Sequence, residues 1–256
     1  MMSRPKGHLK RRKTMQKYIV LLSSTRRVVV ERGKTHYGDF GIIDTSTVEV
    51  GDVIRTKKET FVVVEPTISD ILSICRRGAQ IVTAKDAGQI MAITGLSSGW
   101  KCLDAGSGSG FLAIQLGNAV GPKGRVITYE KRKDFFTTAK KNIERCGLEG
   151  IVTIKNQDVA TFREKNFDLI FFDLKHSHTL VERANARLKP GGWLIVYSPH
   201  IEAQIAALEE MRNNHMHVHA TIETIQRKWK SNHGYTHPEP SGITHTGFMT
   251  FARKVV

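Results

Sequence analysis

The sequence predicts an α/β protein, a mostly parallel sheet covered by helices on both faces, with a small β-domain ahead of it. Two observations predict this. From about residue 83 onward, strand-like and helix-like segments alternate down the chain, and the strands are short apolar runs, as in sheets buried on both faces. Before that, residues 14 to 66 hold β-branched runs broken by turn sequences.

The elements follow in order. "KYIVLL", "RRVVVE" and "TFVVVE" read as strands, separated by "SST", "RGKTHYGDFG" and "VGD". Pro66 opens a helical stretch, "ISDILSICRRG", closed by Gly78. "AKDAGQIMAITG" is a helix, "KCLDAG" a strand, and "GFLAIQLGNAV" a helix stopped by "GPKG". "RVITYE" is a strand. "KDFFTTAKKNIERCGL" is a helix with Phe136, Ala139, Ile143 and Cys146 on one face. "IVTIKNQD" and "FDLIFFD" are strands, and "TLVERANARLKPGG" is a helix carrying Leu180, Ala184 and Leu188 at four-residue steps. "WLIVYS" is a strand, "IEAQIAALEEMRN" a helix, and late strands lie near "HATIETIQ" and "GFMTFARKV".

Bulk properties narrow the class. The chain has 256 residues, 40% of them apolar, enough for one large domain plus a small one. No apolar run approaches the roughly 20 residues of a membrane helix. The basic N-terminus is followed only by "YIVLL", too short for a signal-peptide core, so a cytoplasmic protein is expected. Cys75, Cys102 and Cys146 form no metal-ligand spacing and no obvious disulfide framework. The net charge is +15, and residues 1–34 hold eleven of the 39 Lys/Arg but one of the 24 acids. A basic arm on a nearly balanced body suits a polyanion, most often nucleic acid; a solvated tail is the plainer reading.

Chemistry concentrates at the strand ends. "DAGSGSGFL", Asp104 to Leu112, joins a strand to a helix, and Gly106, Gly108 and Gly110 allow a sharp turn and a close approach to a ligand. The spacing is neither the dinucleotide fingerprint nor a phosphate loop. Glu130 stands 20 residues past Gly110 at the end of the next strand, where a carboxylate can accept both ribose hydroxyls. Asp158 and Asp173 end the two strands after it. Any one of these acids could be a turn residue. Together they suit an adenosine ligand without phosphates, and a sulfonium cation above all, which points to S-adenosylmethionine. No metal site is expected. In "HMHVH", His215, His217 and His219 would share a face if extended, but no acid or Cys motif accompanies them, and a polar strand face is favoured. His176 and His178 could touch RNA phosphate or simply form a loop. "QRKWK" mixes base and aromatic, as nucleic-acid surfaces and solvated strand ends both do.

"RRGAQIVTAKDAGQI", "DAGSGSG", "VGPKGRVITYEKRKDF" and "HTGFMTFARK" resemble the TrmI-type tRNA (adenine-N1)-methyltransferases, particularly the archaeal branch. The similarity runs from about Gly38 to the C-terminus. It implies a class I Rossmann-like methyltransferase domain, expected at 69–256, behind a β-domain at 14–68 and a basic arm at 1–13. It also implies a homotetramer that modifies a tRNA T-loop adenosine. Matched residue by residue, its cofactor contacts fall at Gln80, Ser109 to Leu112, Glu130, Phe135 and Asp158, and its catalytic aspartate at Asp173. With the glycine-loop residues, the candidate cofactor site is Gln80, Asp104, Gly106, Ser107, Gly108, Ser109, Gly110, Phe111, Leu112, Glu130, Phe135, Asp158 and Asp173. Asp173 would accept a hydrogen bond from the adenine amine as N1 becomes cationic. The chain departs from the family near the expected base pocket: after Asp173 and Leu174 the run Lys175-His176-Ser177 stands where the family usually has Pro-x-Pro, and Thr83 and Ala84 replace His or Tyr followed by Pro. A noncatalytic tRNA-binding subunit, or a methyltransferase for protein or small molecules, are the competing readings.

Overall fold

The computed structural model describes residues 16–78, 80–232, 234–240 and 245–256, so the basic arm lies outside the described residues. The chain opens with β1 (Tyr18–Leu22) and β2 (Arg27–Glu31), the hairpin β3 (Thr35–Gly38) and β4 (Gly41–Asp44), then β5 (Val53–Arg55) and β6 (Thr60–Val64). β1, β2 and β6 are the three β-branched runs. β3 falls in a stretch that reads as a turn, and β4 and β5 lie in stretches to which the sequence reading assigns no strand. Four of these strands form an antiparallel sheet in the order β2-β1-β6-β5. Two-residue alternation turns Ile19, Leu21, Phe61 and Val63 inward, where they pack with Phe40 and Ile43.

Helix α1 (Ile68–Ser73) starts at a capping box between Thr67 and Asp70. Asp70 also accepts from the Arg27 guanidinium at 2.6 Å, which ties the helix to β2. The helix expected to run to Gly78 stops at Ser73, because side chains from elsewhere claim the backbone beyond it. Asn142 accepts from the Arg76 N–H at 3.1 Å and donates to the Arg76 carbonyl at 2.8 Å. Arg145 donates to the Ile74 carbonyl at 2.8 Å, and the Gly78 N–H reaches Ser109 Oγ at 2.9 Å.

The remaining elements alternate as expected, apart from a hairpin the sequence reading does not include: α2 (Ala84–Thr94), β7 (Lys101–Ala105), α3 (Phe111–Val120), β8 (Arg125–Tyr129), α4 (Lys133–Arg145), β9 (Val152–Lys155), β10 (Phe167–Asp173), α5 (Val181–Arg187), β11 (Leu188–Ser198), α6 (Ile201–Asn213), β12 (His217–Glu223), that hairpin, β13 (Trp229–Asn232) and β14 (Tyr235–Pro238), and β15 (Phe248–Arg253). The sheet order is β12-β15-β11-β10-β7-β8-β9. β9, β8, β7, β10 and β11 are parallel, and β15 runs antiparallel to both β11 and β12. Strand order reverses between β7 and β10, and open α/β sheets bind ligands at such a switch point.

β10 is apolar from Leu169 to Phe172 because both its faces are buried there. Leu169 and Phe171 join the core cluster with α3 residues Phe111, Leu112 and Leu116, while Ile170 and Phe172 join the other with Ala184 of α5 and Ala207 of α6. Two boundaries differ from the sequence reading. Leu188 begins β11 instead of ending a helix, and Leu180 lies in a 3₁₀ turn. Pro190 disfavours helix at Lys189, and the Lys189–Gly192 stretch bulges before Trp193 resumes pairing opposite Leu169. His215 has φ of 54°, so the three histidines of "HMHVH" do not share one extended face. No metal-binding cluster occurs among the described residues, and no described helix is long and apolar enough to cross a membrane.

Asn142 is buried, and its amide makes a further bond, to the Ser109 carbonyl at 2.9 Å. Asn142→Ala should destabilise the protein by about 2–4 kcal/mol, the cost of leaving several buried backbone groups unpaired. Urea unfolding of the variant against wild type measures this.

Candidate active site

The glycine loop leaves β7 at Ala105 and enters α3 at Phe111. The Gly106 and Ser107 N–H groups both reach the Tyr129 carbonyl, at 3.1 and 3.0 Å, which folds the loop over the end of β8. Gly106 has φ of 93°, and a Cβ there would overlap the carbonyl oxygen of Asp173. The glycine is therefore what allows β10 to end directly against the loop. Gly110, with φ of 82°, similarly admits Ala139 of α4.

Three carboxylates meet beside this loop. Asp104 is fully buried, and Thr128 Oγ1 donates to it at 2.6 Å. Burial chiefly, and then the charge of Glu130, push its acid up to about 6. Glu130 is buried at the end of β8; one oxygen accepts the Gly108 N–H at 2.9 Å and the other the Arg132 N–H at 2.8 Å. Asp173 is the last residue of β10. Loss of water around it, reinforced by the charge of Asp104, raises its acid to about 7. Like charges held this close in poor solvent create a site that favours a cation.

Asp158 sits three residues beyond β9 rather than on it. It serves as the turn residue of the plainer reading: one oxygen caps the 159–161 turn through the Ala160 N–H at 2.9 Å, and the other meets Lys131 at 3.1 Å. These bonds hold its acid below the ordinary value. Asp158 nevertheless lines, with Gly106, Glu130, Leu174, Lys175 and His176, a cavity of about 390 Å³, a volume that suits a small ligand. His176, left open between loop and phosphate contact, forms part of this wall in a left-handed conformation, φ 58°. The site is thus bounded by Gly106, Glu130 and Asp158 on one side and by the segment after Asp173 on the other.

The other candidates divide. Ser109 uses its hydroxyl on Gly78 and its carbonyl on Asn142. Phe111 and Leu112 are core residues, which leaves their main chain for a ligand. Phe135 is half-buried under the Arg132 guanidinium, 4.0 Å from its ring, and borders Gly78. Gln80 is exposed. Ser107 is buried, and its hydroxyl has no hydrogen-bond partner among the described residues. S-adenosylmethionine fits these features: an unpaired hydroxyl, a backbone bend with no room for a side chain, and an anionic edge suited to a cation without phosphates.

A polar network next to Asp173 was not visible from the sequence. Asp86 is fully buried and accepts from Lys85 at 2.6 Å, from Thr83 Oγ1 at 2.9 Å and from Thr246 Oγ1 at 2.9 Å. Lys85 also donates to Thr246 Oγ1 at 2.7 Å. The Tyr197 hydroxyl donates to the Thr246 carbonyl at 2.5 Å, and Tyr197 pairs with Asp173 in the sheet register. Thr83, one of the departures from the family pattern, is thus a partner of Asp86. The signal was present in "TAKDAG" and "HTG", which meet here although about 160 residues separate them. Cys75 and Cys146 also come together: both are buried, and a hydrogen bond from Cys146 holds the Cys75 thiol below its usual pKa.

Asp173 loses stability as it ionises. Its folded acid lies above the ordinary 3.8, so its favourable contribution is complete below that value and is lost as pH rises through about 7. Asp173→Asn should therefore be more stable than wild type at pH 8, by up to about 4 kcal/mol, with the gain vanishing toward pH 4. Unfolding at the two pH values tests the sign.

A sequence model of the family described as the tRNA methyltransferase complex GCD14 subunit matches residues 63–238. The chain is 32% identical to the tRNA (adenine(57)-N(1)/adenine(58)-N(1))-methyltransferase TrmI of Methanocaldococcus jannaschii, over 89% of this chain and 91% of that protein. It is 28% identical to the tRNA (adenine(58)-N(1))-methyltransferase TrmI of Thermus thermophilus, over 80% of this chain and 81% of that one. Among solved structures, a SAM-dependent O-methyltransferase from Thermotoga maritima aligns with a TM-score of 0.80 and 28% identity over 94% of both chains. The tRNA (m1A58) methyltransferase TrmI from Aquifex aeolicus aligns with a TM-score of 0.77 over 94% of this chain and 98% of that chain; at 22% identity it speaks to the fold alone.

Proposed function

This chain belongs to the family of the tRNA methyltransferase complex GCD14 subunit, and from that premise we propose that it transfers a methyl group from S-adenosylmethionine to N1 of a tRNA adenine. The relatives act, by name, at adenine 58 or at 57 and 58, and the same T-loop region is the proposed target. The observation that carries the reading is the close approach of the Asp173 main chain to Gly106 at the switch point, which ends β10, with its poorly solvated carboxylate residue, against the glycine loop.

The donor, when bound, supplies an electrophilic methyl group on a sulfonium. Gly106, Glu130 and Asp158 would hold its nucleoside part in the cavity they line. Each Glu130 oxygen already accepts one backbone N–H, which locks the carboxylate in place and leaves a lone pair on each for a ribose hydroxyl. The Ser107 hydroxyl is available for a further bond. Adenine N1 needs no deprotonation to act as a nucleophile. Asp173 would accept from the exocyclic amine and favour the positive charge that develops on the base. The target base must leave the tRNA stack to reach this edge.

Two features weigh against a noncatalytic subunit on this fold. Asp104 and Asp173 are both held with raised pKa values, which costs stability, and a surface that only gripped tRNA would not need them. The protein is further proposed to bind RNA as a cytoplasmic homo-oligomer, a tetramer by family resemblance, with the segment before Ile68 and the basic arm meeting tRNA phosphates. The deciding experiment incubates the protein with unmodified tRNA and the donor, then measures nucleosides by mass spectrometry. 1-Methyladenosine is expected; methyl groups on protein or small-molecule oxygens alone would overturn the assignment.

Asp173→Ala should lower the methylation rate by about 10²-fold or more, in the range for removing one preorganised electrostatic partner, with donor binding changed far less. The carboxylate is the working form. The wild-type kcat/KM should therefore rise with pH and level off above about 7. The kcat profile should level off at lower pH, because a bound cation favours the charged acid. Glu130→Ala should weaken donor binding by about 2 kcal/mol or more in calorimetry, since a charged acceptor is removed.

A further inference from the structure

The register carries Asp173 across the sheet to Tyr197, Met249 and Ile222 in one line. One rung further, β12 ends at Glu223 and β15 begins at Phe248. The chain between them, which includes β13 and β14, therefore leaves the sheet at the edge that bears Asp173, about 14 Å away at three strand spacings. Its base is anchored there: His245 meets Glu223 at 2.5 Å and the Pro199 carbonyl at 3.0 Å.

The hairpin exposes what proteins usually bury. Trp229 is 57% and Tyr235 64% exposed. Trp229 carries the Arg227 guanidinium 5.8 Å from its ring. Tyr235 stacks on His237 with centroids 5.9 Å apart and an interplanar angle of 19°, and His237 pairs with Lys230 across the strands. Alternation places Trp229 on one face of the ribbon and Tyr235 with His237 on the other. Residues 224–238 hold Arg227, Lys228 and Lys230 and no acid. A two-stranded ribbon has little stability of its own, so aromatic faces left in water beside cations need another explanation than the core. A protein partner would favour apolar surface without this charge. A polyanion with flat rings satisfies both features, since stacking on aromatic faces with cations alongside is how single-stranded nucleic acid is held.

We infer that the β13–β14 hairpin is an RNA-gripping arm that stacks unpaired tRNA bases on Trp229 and Tyr235 while Arg227, Lys228 and Lys230 meet the adjoining phosphates. This rests on the tRNA reading above and adds the surface that delivers the substrate to Asp173.

The test uses the full chain, unmodified tRNA and four variants: Trp229→Ala, Tyr235→Ala, Trp229→Phe, and Arg227, Lys228 and Lys230 all changed to Gln. Trp229→Ala and Tyr235→Ala should each weaken tRNA binding by about 10-fold, as removal of one stacked base does, without altering its salt dependence. Trp229→Phe keeps a π face and should retain most of the affinity. The triple variant should flatten the plot of log affinity against log salt by about 2, at roughly 0.7 for each phosphate that is no longer neutralised. KM for tRNA should rise in the Ala variants while kcat holds, and calorimetric donor binding, the check on folding, should match wild type. Wild-type tRNA affinity in both Ala variants, with methylation intact, would overturn the arm and leave the proposed function standing. Weaker binding accompanied by a smaller sedimenting species would also overturn it, by assigning the hairpin to a second copy of this chain. A wild-type protein that neither binds nor methylates tRNA would remove both readings.

Discussion

Negative charge gathered at one poorly solvated edge is the constraint on which the rest of the structure depends. Asp104, Glu130 and Asp173 stand beside one glycine loop, and burial and mutual repulsion raise the acids of Asp104 and Asp173. Such an arrangement opposes folding. The molecule surrounds it with strong packing. β10 buries four consecutive apolar residues, Leu169 to Phe172, two into each core cluster, immediately before Asp173. The backbone at Asp173 also closes on Gly106, so the end of β10 is held by main-chain contact as well as by packing. A charge held this rigidly in poor solvent is poised to act on a cation.

Side chains that reach far along the sequence hold this edge in shape. Asn142 links the Arg76 segment to the glycine loop through three hydrogen bonds. Asp86 links the start of α2 to Thr246, just before the last strand, and Thr246 in turn receives Tyr197, the sheet neighbour of Asp173. Buried polar groups of this kind define a geometry more sharply than apolar contacts, because any displacement leaves a partner unsatisfied. The edge at Asp173 and the glycine loop are thereby coupled to one frame, with the strands β15 and β12 completing the sheet on one side and carrying the exposed hairpin.

The sequence by itself determined the layered α/β plan, the position of nearly every strand and helix from α2 to α6, and the identity of the acids that end β8 and β10. Those properties are local: two-residue and 3.6-residue periodicities, glycines at a turn, a carboxylate at the end of an apolar run. Only the tertiary structure decided the rest. It ended α1 at Ser73 because Asn142, Arg145 and Ser109 take the backbone groups beyond it. It moved Leu188 from helix to strand, where Pro190 and the bulge before Trp193 govern the chain. It gave Asp158 a capping role as well as a place in the cavity wall, and joined "TAKDAG" to "HTG" through Asp86 and Thr246. It also raised the acid of Asp173 to about 7. Each of these depends on which distant atoms share a small volume with little water, and proximity of that kind has no period along a chain.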